Sequence, residues 1–313
     1  MSYWKKKVNH LIHRRLDTDS MIAKTFDNQL NTGKNNGYFR VILKKFKKHK
    51  LAVISVWILA IMLIIALFAP LLAPYHPDEM VGPFSSAPSL KHLLGTDQIG
   101  RDVIRRVIYG SRVSFLVGLT SVFIGLAIGI ILGLISGYYG GWIDMIIMRL
   151  TDIVMSFPYI MLILVVAGLV GPGLLNMILI LGFLNWPSVA RLVRGNVLAI
   201  KESDYIKAAF VQGFSTRKIL FGEILPNTIA PILIFATSGI PMAILDEAAL
   251  SFLGFGVQPP TASLGNMLNG AQSLTILTSK PWLWIPPGIA IILIVLSINF
   301  IGDALRDALD PKQ

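Results

Sequence analysis

The 313-residue chain contains no cysteine. Disulfides and thiolate metal sites are therefore excluded, and the redox compartment cannot be read from it. Charge is scarce too: Asp, Glu, Lys and Arg make up 14% of residues, against 54% hydrophobic. Soluble domains carry about 25% charged residues, so this composition belongs to an integral membrane protein. Motifs for several chemistries are missing. There is no GxxxxGK[ST] phosphate loop, no HExxH and no GxSxG. All five histidines (His10, His13, His49, His76, His92) fall outside the long apolar runs. That argues against an intramembrane metalloenzyme and a histidine proton relay. The carboxylates inside apolar runs are few and lie near run ends, which disfavours a proton-coupled carrier.

What charge there is has one sign and one place. The net charge is +11, and residues 1–50 hold 13 Lys or Arg against three Asp. Beside a membrane span, this pattern reads as the positive-inside rule and anionic lipid, rather than as nucleic-acid binding. No apolar core precedes residue 50, so the pattern is not that of a cleaved signal peptide, and the first span is expected to be a retained anchor. Residues 1–37 read as loosely ordered. Residues 38–48 read either as an amphipathic helix on the membrane surface or as a merely solvated basic tail.

The runs that follow set an all-α, polytopic architecture. Residues 51–73 are charge-free for 23 positions, and a hydrocarbon core of ~30 Å needs ~20 helical residues. Pro70, Pro74 and Pro77 break the far end of this first span. Residues 74–111 form a polar outer loop. Residues 113–143 give a second span that ends near Gly137-Tyr138-Tyr139-Gly140-Gly141. The 38-residue run 153–190 is too long for one helix and is divided at Gly171-Pro172-Gly173 into spans three and four. Residues 224–245 give span five, 251–280 a second outer region, and 281–302 span six. Six spans place both termini on one side. Inner segments then hold 22 Lys or Arg and outer segments six, which supports termini inside. The resulting division is a basic segment 1–50, a first span 51–73, an extracytoplasmic loop 74–111, a core 112–302 and a tail 303–313.

Between spans four and five lies 203–227, SDYIKAAFVQGFSTRKILFGEILPN. Ser203 is expected to cap one helix, Gly213 to end it in left-handed backbone, and Ser215 to cap a second that Pro226 closes. The result is a helix-turn-helix outside the membrane, with Ala208 and Ala209 open to close approach. Either it is an amphipathic loop with no partner or it is a docking element. Three other features carry candidate roles. Arg149 and Asp152 stand i,i+3 and are expected to pair. Asp246 and Glu247 follow span five and face either a water-filled path or the interface. Asn185-Trp186-Pro187 interrupts span four as a packing kink or a gate.

The loop resembles the coupling loop of ABC-importer permeases, whose pattern is roughly E-A-A, three residues, G, nine residues and I-x-L-P. Ala208-Ala209, Gly213 and Leu225-Pro226 match in spacing. Lys207 replaces the usual Glu and Glu223 the usual Ile. Four further stretches resemble the dipeptide, oligopeptide and nickel transporter permeases: LGTDQIGRDVIRRVIYGSRVS (94–114), NWPSVARLVRGNVL (185–198), EAALSFLGFGVQPPTASLGNML (247–268) and NFIGDALRDALDP (299–311). They match the shorter-looped member of the permease pair, over about residues 40–311. The resemblance implies a type I importer permease fold in the cytoplasmic membrane of a prokaryote. It implies a second permease, an extracytoplasmic substrate-binding protein and two ATPases that carry the ATP and Mg, with no cofactor or catalysis on this chain. Peptide is the implied cargo, with nickel or a metal chelate as the alternative. A structural or sensory membrane protein and a proton-coupled carrier are the readings from other classes. Lys207, Ala208, Ala209, Gly213 and Pro226 are the implied ATPase-coupling residues.

Overall fold

The computed structural model describes residues 36–72 and 76–309. The expectations for the start of the chain, for Pro74 and for the last tail residues fall outside them. Helix α1 (Asn36–Lys48) precedes α2 (Lys50–Leu67), which is followed by a single turn, Ala69–Leu72. A strand-poor loop leads to α3 (Val103–Tyr139). Then come α4 (Gly141–Met155), α5 (Tyr159–Val170) and α6 (Leu174–Lys201). The 203–227 loop holds α7 (Asp204–Val211) and runs into α8 (Leu225–Phe252). Short helices α9 (Leu264–Asn269) and α10 (Leu274–Ser279) lead to α11 (Ile285–Leu309).

Among the described residues five helices are long and apolar enough to cross a membrane, and α4 with α5 makes a sixth span if the bent pair counts as one. The expected hairpin is present, with Gly171 at φ +89° turning α5 into α6. Span three itself differs from expectation. It breaks at Ser156-Phe157-Pro158 with an 86° bend. Proline disfavours helical backbone at the residue before it, which favours ending α4 ahead of Phe157.

Helix α3 begins ten residues ahead of its charge-free run. The cause is Asp102, whose Oδ1 accepts from the Ile104 and Arg105 amides at 3.0 and 3.3 Å. At 1.5 Å per residue its 37 residues span roughly 55 Å. That exceeds a hydrocarbon core of ~30 Å and leaves room for its first turns, with Arg105, Arg106 and Arg112, to stand outside it.

The tightest packing joins α3 to α6. Gly125, Gly129, Gly133 and Gly137 recur every fourth residue along α3 and meet Asn185, Val189, Val193 and Val197 of α6. A Cβ built at Gly129 would lie 2.4 Å from Val189 Cβ. Small residues at this spacing let two backbones meet where lipid leaves dispersion as the main attraction. Large side chains such as Trp57, Phe123 and Leu169 are exposed around the outside, as a lipid-facing surface requires.

Candidate functional site

The 203–227 loop is folded onto the helix ends. Ile206 and Ala209 of α7 face inward and are buried. With Ile219, Leu220 and Ile224, Ile206 packs against Val193 and Val197 of α6 and Leu134 of α3. Ala208, Phe210, Val211 and Phe221 face outward. The two alanines, expected to act together, are thus divided: Ala209 is core and Ala208 is surface. Gly213 takes φ +77° and ends α7, with its amide donating to the Phe210 carbonyl at 3.0 Å and the Phe214 amide to the Ala209 carbonyl at 3.1 Å. Lys207 Nζ lies 3.2 Å from Glu202 Oε2, so its charge is answered within the chain.

Two details differ from the sequence expectation. Ser203 occupies the position before α7 but does not cap it, because its hydroxyl donates backward to the Ile200 carbonyl at 2.6 Å. Nor does Pro226 close a second helix. The turn Thr216–Lys218, which Ser215 Oγ does cap by accepting from the Lys218 amide, passes through a widened turn (Ile219–Ile224) directly into α8. A π-type turn puts an extra residue into the ring and spares the carbonyl that a proline would otherwise strike. The second arm of the loop and span five are one rod. Asn227 ties that rod to α7, donating to the Glu223 carbonyl at 2.6 Å and the Tyr205 hydroxyl at 3.2 Å.

Above the loop, α4, α5, α6 and α8 line an open cavity of about 530 Å³. Asn185, Pro187 and Ser188 of α6 line it with Phe235, Ser238, Met242 and Asp246 of α8. Phe157 and Tyr159 reach it from the break between α4 and α5. Trp186 is not part of the lining, and α6 remains helical through Pro187. The expected interruption at Asn185-Trp186-Pro187 is therefore a continuous helix that contributes two wall residues.

The acids separate into distinct environments. Asp152 does not pair with Arg149. It accepts from Arg191 Nη2 of the facing helix α6 at 2.9 Å. Nearby, Arg194 grips Asp144 with Nε and Nη2, each at 2.6 Å, and the Ser136 hydroxyl also donates to Asp144. This bidentate clamp between residues 50 apart went unread in the sequence, where nothing local links the two.

Glu247 leaves the cavity altogether and is fully buried. Oε1 accepts from the Ser251 hydroxyl at 2.8 Å and Oε2 from the Ser114 hydroxyl at 3.0 Å. Ser251 Oγ in turn accepts from the Val257 amide at 3.1 Å. The acid joins α8 to α3 and to the chain beyond Phe252. Replacing it with leucine strands these hydroxyls and is expected to cost about 1–3 kcal/mol for the unpaired group. Thermal unfolding in detergent should show Glu247→Leu well below Glu247→Gln, which keeps an acceptor. Equal melting of the two variants would contradict the bonding scheme.

At the end opposite the 203–227 loop, the two expected outer regions meet. His92 Nδ1 and Asp102 Oδ2 are 2.8 Å apart, and both side chains are buried. Asp97 pairs with Arg101 at 2.6 Å and with Arg106 at 3.6 Å. Between this knot and Asn266, Met267 and Asn269 lies a smaller cavity of about 220 Å³.

Comparison with known proteins agrees with this arrangement. Residues 129–313 match the family described as the inner membrane component of binding-protein-dependent transport systems. Residues 37–88 match the N-terminal transmembrane domain of oligopeptide transport permease C. The chain is 43% identical over 280 residues to the dipeptide transport system permease protein DppC of Alkalihalophilus pseudofirmus, covering 88% of this chain and 90% of that one. It is 42% identical over 269 residues to a putative peptide permease protein of Brucella suis, covering 86% and 89%. It is 41% identical over 271 residues to the glutathione transport system permease protein GsiD of Escherichia coli, covering 86% and 89%. Among solved structures, a chain of the MetNI methionine ABC transporter in inward-facing conformations aligns with TM-score 0.51 at 19% identity, over 66% of this chain and 96% of that chain. That likeness shows a shared type I permease fold. On these matches, and on the membrane helices that carry them, the chain belongs to the inner-membrane permease components of binding-protein-dependent transport systems.

Proposed function

We propose that this chain is one of two different permease subunits of an ATP-driven peptide importer. The observation that carries the reading is mechanical. The 203–227 loop exposes Ala208, Phe210, Val211 and Phe221, and its second arm continues unbroken into α8, which walls the cavity. A push on the loop is thereby delivered to the cavity wall, as alternating access requires of a bistable element.

Two partner ATPases bind and hydrolyse ATP with Mg and dock on the face that carries Lys207 and Ala208, whose shape is set by buried Ala209 and by the turn at Gly213. Pro226 lies where the loop becomes the moving span. This chain performs no catalysis. The 203–227 loop, the basic segment 1–50 and the tail 303–313 lie on the cytoplasmic side of the membrane. The loop 74–111 and residues 251–280 form the outer face that receives a substrate-binding protein. The core 112–302 shares the translocation path with the second permease, and Asn185, Pro187 and Asp246 lie on that path. Peptide is the cargo because the relatives include dipeptide, peptide and glutathione permeases.

Affinity purification of the tagged chain from its native membrane should recover two ATPase subunits, a second permease and a solute-binding protein. A strain lacking the chain should lose growth when peptide is the sole source of a required amino acid. Unimpaired growth in a strain with no redundant importer would overturn the reading.

A further inference from the structure

The cavity holds one formal charge. Of its lining residues, Asp246 alone is an acid or a base of the Asp, Glu, Lys and Arg class. No ion pair among the described residues includes it. The other acids on the four helices that line the cavity are answered: Asp144 by Arg194, Asp152 by Arg191, and Glu247 by the Ser114 and Ser251 hydroxyls. A carboxylate without a cation is expensive within a membrane protein, and such groups mark cargo pathways or ion relays.

The surroundings select the kind of cation. Tyr159 sits at the first position of α5, directly after the 86° break. Its hydroxyl donates to Asp246 Oδ2 at 3.2 Å, which fixes the carboxylate while Oδ1 has no hydrogen-bond donor among the described residues. The Tyr159 and Phe157 rings share the wall with Leu162, Phe235 and Met242. A carboxylate beside aromatic rings is a receptor for an organic ammonium, which gains both an ion pair and a cation–π contact. A bare metal ion would ask for a cluster of oxygen or nitrogen ligands. The described residues contain no group of three His, Cys, Asp or Glu able to hold one. Asn185, Ser188 and Ser238 supply amide and hydroxyl groups elsewhere on the wall, suited to a backbone that bears one ammonium and several amides.

We propose that Asp246, held by Tyr159, receives the α-ammonium group of a peptide in transit and makes a free N-terminus a requirement of the permease itself. The assignment rests on the peptide reading above. It adds a selective contact on this chain, independent of any selection by a binding protein.

The absence of native cysteine allows a direct electrostatic test. Asp246→Cys carries the chain's sole thiol, which can be given either sign of charge by methanethiosulfonate reagents. The complete transporter, reconstituted in proteoliposomes with its binding protein, is assayed for uptake of labelled trialanine, and modification is confirmed by the mass of the chain. Asp246→Cys and Asp246→Asn should lower uptake by about 10–100-fold, the loss expected for a hydrogen bond to a charged group. The sulfonatoethyl reagent, which restores a negative charge, should recover much of the uptake of Asp246→Cys. The trimethylammonioethyl reagent should recover none, and neither should alter the wild type. Wild-type rates in Asp246→Asn, equal recovery by both reagents, or a thiol that neither reagent reaches would each overturn the proposal. A wild-type transporter that hydrolyses ATP yet takes up no trialanine or other peptide would instead overturn the peptide reading and the assignment with it.

Discussion

Valine in place of Gly213 is expected to reduce ATP-driven uptake about 5- to 30-fold, while asparagine there leaves most of it. The residue takes φ +77°, a region that costs an L-residue about 1–2 kcal/mol and a β-branched one more. No atom lies within 4 Å of a Cβ built at this position, so the penalty is conformational and carries no clash. Relief comes from letting the turn re-form, which would shift α7 against Ile219, Leu220 and Ile224. The outward face of α7 would then present Phe210 and Val211 at the wrong angle to an ATPase. Because the strain is in the loop, ATP hydrolysis should continue while uptake falls. Parallel assays of hydrolysis and uptake in proteoliposomes separate the two, and a valine variant with normal coupling would refute a shape requirement at Gly213.

The larger effect is expected in the membrane, at Gly133. A Cβ there would lie 2.7 Å from the Ala190 carbonyl oxygen and 2.7 Å from Val193 Cβ. Neither can yield easily, since one is backbone and the other is pinned on a β-branched side chain. Adding one or two methylenes to a packed core typically costs 1–3 kcal/mol, and leucine adds more. Helices α3 and α6 would have to separate along the whole glycine row. Gly133→Leu should therefore fail to accumulate in the membrane, with Gly133→Ala milder. Gly195→Leu provides the control. Gly195 is an exposed residue on the same α6, with nothing within 4 Å of its built Cβ. Quantitative blotting of membranes that shows equal amounts of Gly133→Leu and Gly195→Leu would dismiss this packing argument.

How legible these features were depends on the range of the forces behind them. The spans were readable because crossing a membrane is decided by composition over ~20 residues. The hairpin at Gly171-Pro172-Gly173 and the turn at Gly213 were readable because glycine and proline act on their own backbone. The glycine row on α3 was open to reading as repeated small-xxx-small spacing. Its partners on α6 were not, since the sequence does not state which helix faces it. The break at Ser156-Phe157-Pro158 was also signalled by its proline, yet it lay close to the start of a long apolar run whose central Gly-Pro-Gly drew the division.

Side-chain pairing was the least legible. Arg149 and Asp152 satisfied a local spacing rule, but Asp152 met Arg191 from the facing helix instead. Adjacent residues Asp246 and Glu247 looked equivalent. Helical periodicity turns consecutive side chains about 100° apart, so one entered the cavity and the other the core against Ser114. Pro226 was expected to stop a helix, and a widened turn ahead of it removed the reason to stop.

By itself, then, the sequence determined the membrane class, the apolar runs that form the spans, the family motifs and the left-handed turn of the loop. Each follows from local composition or from the backbone limits of single residues. Only the tertiary structure decided that the loop and span five form one rod, that Asp144 belongs to Arg194, and that Asp246 stands without a cation in a cavity. These depend on which helix faces which, and that is settled by close packing among segments far apart in the chain.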